Sequence, residues 1–194
     1  MSPRHWQAGF LMMMVSVALT GCGQEIEPPN PADFNGLPLY QGQAPYSSAF
    51  NEDKYSSLMP QTIESHEKVI IVDPKIYAWG AYEDSRLVKA GIASAGAPRC
   101  PDKPGSCRTQ VGTFHIGRMG DQDCISHTYP IGKGGSLMPF CMFFNKGQSL
   151  HGTPDQMMVE DNISHGCVHM RIPDAEWVRY NFAESGTKVV ILPY

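Results

Sequence analysis

The sequence has no long hydrophobic run, few basic clusters and no internal repeat, and these absences exclude several classes of protein. A formal net charge of −4 with scattered Lys and Arg argues against a nucleic-acid partner. No segment has the glycine spacing of a phosphate-binding loop or a dinucleotide fingerprint, so no cofactor is predicted. With 194 residues, 42% of them hydrophobic, the chain suits one domain with a sizeable core.

The first 21 residues are organised like an export signal. Their apolar run, Ala8 to Leu19, has 12 residues and is too short to cross a bilayer as a helix. It ends in Leu19-Thr20-Gly21-Cys22, which resembles the lipobox of bacterial lipoproteins. The resemblance implies a lipid anchor on Cys22 and a periplasmic location. It favours the outer membrane, because no Asp follows the cysteine. An ordinary secretory signal cleaved nearby is the alternative.

Residues 22–66 are predicted to form a linker between the lipid anchor and the folded domain. The segment is rich in Asn, Gln, Ser and Gly and contains six prolines, a composition typical of extended tethers: Pro28, Pro29, Pro31, Pro38, Pro45 and Pro60. The alternative is that Leu37 to Leu58 packs on the domain, since this stretch carries four aromatic residues: Tyr40, Tyr46, Phe50 and Tyr55.

Four of the six cysteines are candidates for disulfide bonds: Cys100, Cys107, Cys124 and Cys141. Three pairings are possible. The local pairing of Cys100 with Cys107 and of Cys124 with Cys141 is favoured, because each bond would close a loop rich in Gly and Pro. A zinc site is the rival interpretation, but the spacing lacks paired Cys-x-x-Cys motifs.

From Glu67 onward, short apolar runs separated by turn residues are typical of a mainly β fold. Strands are predicted at Lys68–Asp73, Ile76–Tyr82, Arg86–Ala93, Val111–Ile116, Phe140–Phe144, Gln148–Leu150 and Thr187–Leu192. The stretch 94–109, with three Pro and two Gly, predicts a long loop closed by a disulfide. One helix is predicted to begin at Pro173 and to end before Gly186. The expected domain, 67–194, is therefore a β-sandwich or mixed-sheet domain with one or two short helices.

The strongest chemical signal is the combination of His151-Gly152 with Ser164-His165-Gly166-Cys167-Val168-His169. A cysteine acts as a nucleophile when a neighbouring group lowers its pKa and accepts its proton, and His151 can do both. Gly166 permits a sharp turn whose amides can bind an oxyanion. The alternatives are a small buried cysteine without chemistry and a metal site formed by the histidines with Cys167. Against a metal site, Gly166 and the polar run at 160–162 favour a loop over a regular strand.

These two motifs, His151-Gly152-Thr153 and Ser164-His165-Gly166-Cys167, resemble the signature of L,D-transpeptidases with a YkuD-type catalytic domain. The stretch 108–114 (RTQVGTF) is similar to that family's T-P-x-G-x-F strand, and the closing GTKVVI at 186–191 is similar to its last strand. The resemblance covers about Glu67 to Leu192 and implies a YkuD-like fold.

The resemblance also implies a role for each residue of the motifs. Cys167 would be the nucleophile and His151 the general base, oriented by the carbonyl of Gly152. Ser164, His165 and Gly166 would shape the site, with amides near Gly166 and Cys167 binding the oxyanion. Thr153, His169 and Arg171 are expected to contact substrate, although His169 stands where the family usually has Arg or Asn.

The family reaction is acyl transfer on peptidoglycan stem peptides. The expected product is a cross-link to another stem, or to an amine of an envelope protein. With water as acceptor the enzyme would be an L,D-carboxypeptidase. A second hypothesis is a catalytically silent, lipid-anchored wall-binding protein. Papain-like endopeptidases place Cys before His in the chain, and sortases separate the two more widely, so neither fits.

Overall fold

The computed structural model describes residues 52–129 and 135–194. The predicted signal peptide, the lipidation site Cys22 and the linker as far as residue 51 lie outside the described residues. Among those that are described, no helix is long and apolar enough to cross a membrane.

Two sheets form the body of the domain. The first sheet has five strands in the order β3-β2-β1-β10-β4, and the second has three in the order β7-β8-β9. A small hairpin joins β5 and β6. The strands are β1 Val69–Asp73, β2 Ala78–Glu83, β3 Arg86–Ile92, β4 Gly112–His115, β5 Ile125–Ser126, β6 Ser136–Leu137, β7 Met142–Asn145, β8 Gln148–Thr153, β9 Val168–Arg171 and β10 Lys188–Ile191. The prediction of a mainly β fold is confirmed.

The main core lies between the two sheets. β1 and β10 are rich in β-branched residues, which suit a pleated and buried surface, and they pair in parallel with Ile70 opposite Val189. From the second sheet, Leu150 and Met170 enter the same cluster, and both are fully buried. Each large apolar side chain buried in this way stabilises the fold by about 1.5–3 kcal/mol relative to exposure.

The second helix closes one end of this core. It was predicted to begin at Pro173. The structure has α2 at Ile172–Trp177, with Pro in its first turn, continued by a π-helical segment at Val178–Phe182. Val178 and Phe182 are buried in the main core, so the helix anchors the second sheet to the first.

The end of the stretch Leu37 to Leu58, whose packing on the domain was the alternative to a linker, forms a helix. Residues Glu52–Leu58 form α1, which covers the outer face of β2 and β3. Tyr55 and Met59 are 3% exposed and belong to a second apolar cluster with Tyr82. The folded unit therefore begins before residue 67, because this stretch contributes buried apolar surface to the domain.

Both favoured disulfides are present. Cys100 is bonded to Cys107, and Cys124 is bonded to Cys141. The first bond closes the loop after β3, as predicted. The second ties the long connection between β4 and β7 to the start of β7.

The loop after β3 also links the two sheets near Ser164 and His169. Ser94 pairs with His169, and Gly96 pairs with Ser164, through isolated bridges. The carbonyl of Ser164 accepts a hydrogen bond from the amide of Ala97 at 2.8 Å. The segment that carries the predicted nucleophile is thus held by backbone contacts on both sides.

Candidate active site

The second sheet brings the predicted nucleophile and base together. β8 and β9 run parallel, with His151 opposite His169. Cys167 directly precedes β9, so extending the register places it beside Ser149. Alternate residues of a strand share a face, which puts Ser149 and His151 on the side that Cys167 meets. His151 lies close enough to Cys167 to lower the pKa of its thiol.

The orientation of His151 is fixed by the residue that follows it. Its Nδ1 lies 2.9 Å from the carbonyl oxygen of Gly152. Since a carbonyl only accepts, Nδ1 carries a proton, and Nε2 is left with the lone pair that can take the thiol proton. The amide of Gly152 donates to the carbonyl of Pro139 at 2.7 Å, which holds this backbone in place.

Opposing effects act on the Cys167 thiol. Burial raises its pKa, because a thiolate is poorly solvated inside a protein. The hydrogen bond and the charge of His151 lower the pKa, and hydrogen bonds from Ser149 lower it further. The effects of His151 and Ser149 outweigh the effect of burial, so the pKa of Cys167 lies below its usual range. Cys167 is also the free cysteine of the described chain.

The hydroxyl of Ser164 makes two hydrogen bonds within the turn before the nucleophile. Ser164 Oγ donates to the carbonyl of Cys167 at 2.5 Å and accepts the amide of Gly166 at 3.0 Å. Gly166 has a φ of +119°, where a side chain would be strained, and an added Cβ would lie 2.9 Å from Gln148 Nε2. Because the Gly166 amide is already engaged, the oxyanion prediction depends on the amide of Cys167.

The side chain of His165 contacts the disulfide-closed loop. Its Nε2 lies 2.8 Å from Asp102 Oδ1, although the N–H is not aligned for a regular hydrogen bond. Its ring stacks on Tyr129 at 4.8 Å between centroids, and Tyr129 accepts a hydrogen bond from Lys103. His165 therefore fastens the loop closed by Cys100–Cys107 over this side of the site.

His169 is a neutral neighbour of the base. Its ring meets that of His151 edge to face, with centroids 4.9 Å apart, and its Nδ1 is covered without a hydrogen-bond partner among the described residues. Burial lowers the pKa of His169 to about 3, and the charges of His151 and His165 add to this effect. An uncharged ring cannot form the ionic contact with a substrate carboxylate that an Arg at this position could form.

This depressed pKa predicts acid sensitivity. In the unfolded chain His169 binds a proton below about pH 6.5, whereas in the folded protein it binds one only below about pH 3. The free energy of unfolding therefore falls as the pH drops from about 6.5 to about 3. Between pH 7 and pH 4 we expect wild type to lose about 2–3 kcal/mol more than His169→Asn. Urea unfolding followed by tryptophan fluorescence measures the difference. Equal losses in the two proteins would contradict it.

Arg171 and Thr153 are the other two residues predicted to contact substrate. The first is paired with a carboxylate and the second is buried. Arg171 forms a bidentate pair with Asp155, at 3.1 Å from Nε to Oδ1 and 2.8 Å from the terminal nitrogen to Oδ2. Thr153 is 5% exposed. Their contact with substrate stays a prediction.

Ser149 is a site residue that was not predicted from the sequence. This residue is fully buried, and its Oγ lies 3.6 Å from Cys167 Sγ. A strand was predicted at 148–150, and residues two apart on a strand share a face. The position of Ser149 two residues before His151 was therefore the available signal.

A cleft of about 270 Å³ adjoins the turn between β7 and β8. It is lined by His115, Gly117 and Arg118 and by residues 143–146. The cleft does not contain Cys167, but the next residue of the turn, Gly147, has its carbonyl 3.9 Å from Cys167 Sγ. In the described part of the chain no group of three or more His, Cys, Asp or Glu side chains is arranged to hold a metal.

Comparison with known proteins decides the family. Residues 67–191 match the YkuD family, the L,D-transpeptidase catalytic domain. The chain belongs to this family. Comparison with curated proteins found no match. Solved structures of L,D-transpeptidases share the fold of this chain.

Three such structures show how far the likeness extends. An L,D-transpeptidase from Xylanimonas cellulosilytica is 24% identical with a TM-score of 0.58, covering 70% of this chain. One from Mycobacterium smegmatis is 20% identical with a TM-score of 0.54, covering 66%. L,D-transpeptidase 3 from Mycobacterium tuberculosis, in complex with a faropenem-derived adduct, is 19% identical with a TM-score of 0.53, covering 65%. The chain spans 66%, 59% and 60% of these three structures, respectively.

Proposed function

We propose that the protein is a peptidoglycan L,D-transpeptidase in which Cys167 carries the acyl group. The observation that supports this most is the thiol–imidazole pair of Cys167 and His151, with Nδ1 of the base fixed by the Gly152 carbonyl. This leaves Nε2 free to remove the thiol proton, as a general base requires.

The reaction would proceed in two steps. The Cys167 thiolate attacks the carbonyl of the third residue of a tetrapeptide stem, and the proton held by His151 passes to the leaving amine of D-alanine. A thioester remains. An amine then attacks the thioester, His151 removes its proton, and the thiolate is regenerated. The Cys167 amide would bind the oxyanion in both steps.

The amine acceptor is the diamino acid side chain of another stem, which gives a 3→3 cross-link, or an amine of an envelope protein. The lipobox-like segment supports a periplasmic site of action, with the protein anchored through Cys22 to the outer membrane. On a tether from that membrane, the domain would reach stem peptides in the cell wall.

Product analysis tests the proposal. The purified protein is incubated with tetrapeptide muropeptides, and the products are identified by mass spectrometry. Released D-alanine together with 3→3 dimers or protein-linked muropeptides supports a transpeptidase. Tripeptides without any dimer or protein conjugate would assign an L,D-carboxypeptidase, and no release of D-alanine would sink the enzymatic proposal.

The cleft beside the turn between β7 and β8 is lined by basic side chains, and we expect it to hold the carboxylates of a stem peptide. His115, Arg118 and Lys146 are exposed, none forms an ion pair within the described residues, and no carboxylate lines the cleft. The guanidinium of Arg118 lies over the ring of Phe143, 4.0 Å from its centroid, which restricts its position. Together these groups suit the carboxylates of a stem peptide bound beside Cys167.

We therefore expect the double variant Arg118→Gln, Lys146→Gln to raise the KM for muropeptides about five- to twentyfold with little change in kcat. Steady-state kinetics of D-alanine release measures both constants. Lys75→Gln, which removes an exposed charge at the turn between β1 and β2, serves as the control. A change in kcat at constant KM would argue that the cleft does not bind substrate.

A further inference from the structure

The Cys167 sulfur has a third polar neighbour besides His151. Ser149 is 0% exposed, and its Oγ donates toward Cys167 Sγ at 3.6 Å. In the described part of the chain this sulfur is the hydroxyl's hydrogen-bond partner. This residue therefore directs a hydroxyl donor at the atom that would attack the substrate.

We propose that Ser149 is a further catalytic residue, whose hydroxyl stabilises the Cys167 thiolate by donating a hydrogen bond to the sulfur. This inference rests on the proposed acyl transfer through Cys167. The proton released by the thiol goes to Nε2 of His151, and the hydroxyl of Ser149 keeps its own proton throughout.

The need for such a donor follows from the surroundings of the sulfur. When the thiol loses its proton, a negative charge appears on a half-buried side chain, and burying a charge without partners is disfavoured. The carbonyl of Gly147, 3.9 Å from Sγ, suits a protonated thiol but repels a thiolate. A hydrogen-bond donor is required to offset this effect, and Ser149 provides one from β8.

The titratable groups around the thiol come from three elements. His151 lies on β8, His169 lies on β9, and His165 lies in the turn before Cys167, where it is paired with Asp102. None of these is changed by replacing Ser149. The hydroxyl can thus be removed while every charge that faces the sulfur stays in place, so its own contribution is measurable.

The test is the pH dependence of Cys167 alkylation by iodoacetamide, read by mass spectrometry of the peptide that contains Cys167. In Ser149→Ala we expect the alkylation midpoint to move to higher pH and the rate at pH 6 to fall about three- to tenfold, as expected for loss of one hydrogen bond. Ser149→Thr, which keeps the hydroxyl, should restore the wild-type midpoint.

Ser94→Ala is the matched control. Ser94 is also 0% exposed, but its hydroxyl donates to the carbonyl of Asp161 and not to the sulfur. The Ser94→Ala variant should have a lower thermal stability and an unchanged alkylation midpoint. Superimposed profiles of wild type and a folded Ser149→Ala would overturn the proposal.

The alkylation midpoint of wild type is itself informative, and it is measured independently of turnover. A wild-type midpoint at or above that of free cysteine would overturn the proposal even where the alanine variant does not fold. Alkylation does not require turnover, so the result stands apart from the assay of D-alanine release. If wild type releases no D-alanine, the proposed acyl transfer fails, whereas a midpoint unaffected by Ser149 refutes only the role of that residue.

Discussion

Replacing Cys167 with alanine is expected to abolish D-alanine release, with a loss of turnover on the order of 10⁵-fold, as for removal of other catalytic nucleophiles. The reason is that the thioester requires a thiol, and Cys167 is the free cysteine of the described residues. The remaining four cysteines of the described chain are in disulfides. Turnover of muropeptides by the purified variant, followed by mass spectrometry, measures the loss.

A covalent probe gives the same variant a second readout. A carbapenem should acylate wild type on the peptide that contains Cys167 and leave Cys167→Ala unmodified. Thermal unfolding of the variant should match wild type closely, since a sulfur atom is removed without adding bulk. Residual turnover within tenfold of wild type, or an adduct on another peptide, would refute the assignment of Cys167.

Gly96→Ala is expected to destabilise the domain by about 3 kcal/mol or more and to lower Tm by about 10 °C. An added Cβ would lie 2.0 Å from the carbonyl oxygen of Cys107 and 2.6 Å from the amide nitrogen of Thr109. Both are backbone atoms, one of them in a disulfide-bonded residue, so neither can move aside cheaply.

The damage should extend to the active site. Gly96 donates to Thr109 Oγ1 at 2.9 Å, and the same hydroxyl donates to the carbonyl of Gly166 at 3.0 Å. Separating these segments would loosen the turn that carries Cys167. Scanning calorimetry with Gly117→Ala as control measures the effect, because a Cβ at Gly117 meets only the carbonyl of Phe143, at 3.8 Å. Similar Tm values for the two variants would contradict the prediction.

Most of the first sheet could be predicted because its strands carry their own local signals. β-branched runs such as Val69–Asp73 and Lys188–Ile191 fall where the sequence placed them. Helix α1 could not be found this way. It has seven residues in a proline-rich region, and it is stabilised from afar, for example by the hydrogen bond from Tyr55 to Glu160, 105 residues along the chain. Short helices depend on such tertiary contacts.

The site was predictable in its chemistry but not in its surroundings. The loop expected around Gly166 ends at Cys167, and β9 begins at Val168, since pairing with β8 and with Ser94 makes a strand of this segment. Cys167 and His151 were identified from motif and spacing. The direction of His165 toward Asp102 depends on how a distant loop folds back, and no local pattern encodes that contact.

The position of β10 has a consequence for the order in which the chain can assemble. This strand lies between β1 and β4, so residues 188–191 bridge two parts of the five-stranded sheet made from much earlier sequence. Until they arrive, β1 and β4 each expose an unpaired edge and the main core lacks Val189 and Ile191. Native structure must therefore wait for residues 188–191, and folding dominated by such distant pairings is slow. Until β10 docks, the partly folded domain is vulnerable to aggregation.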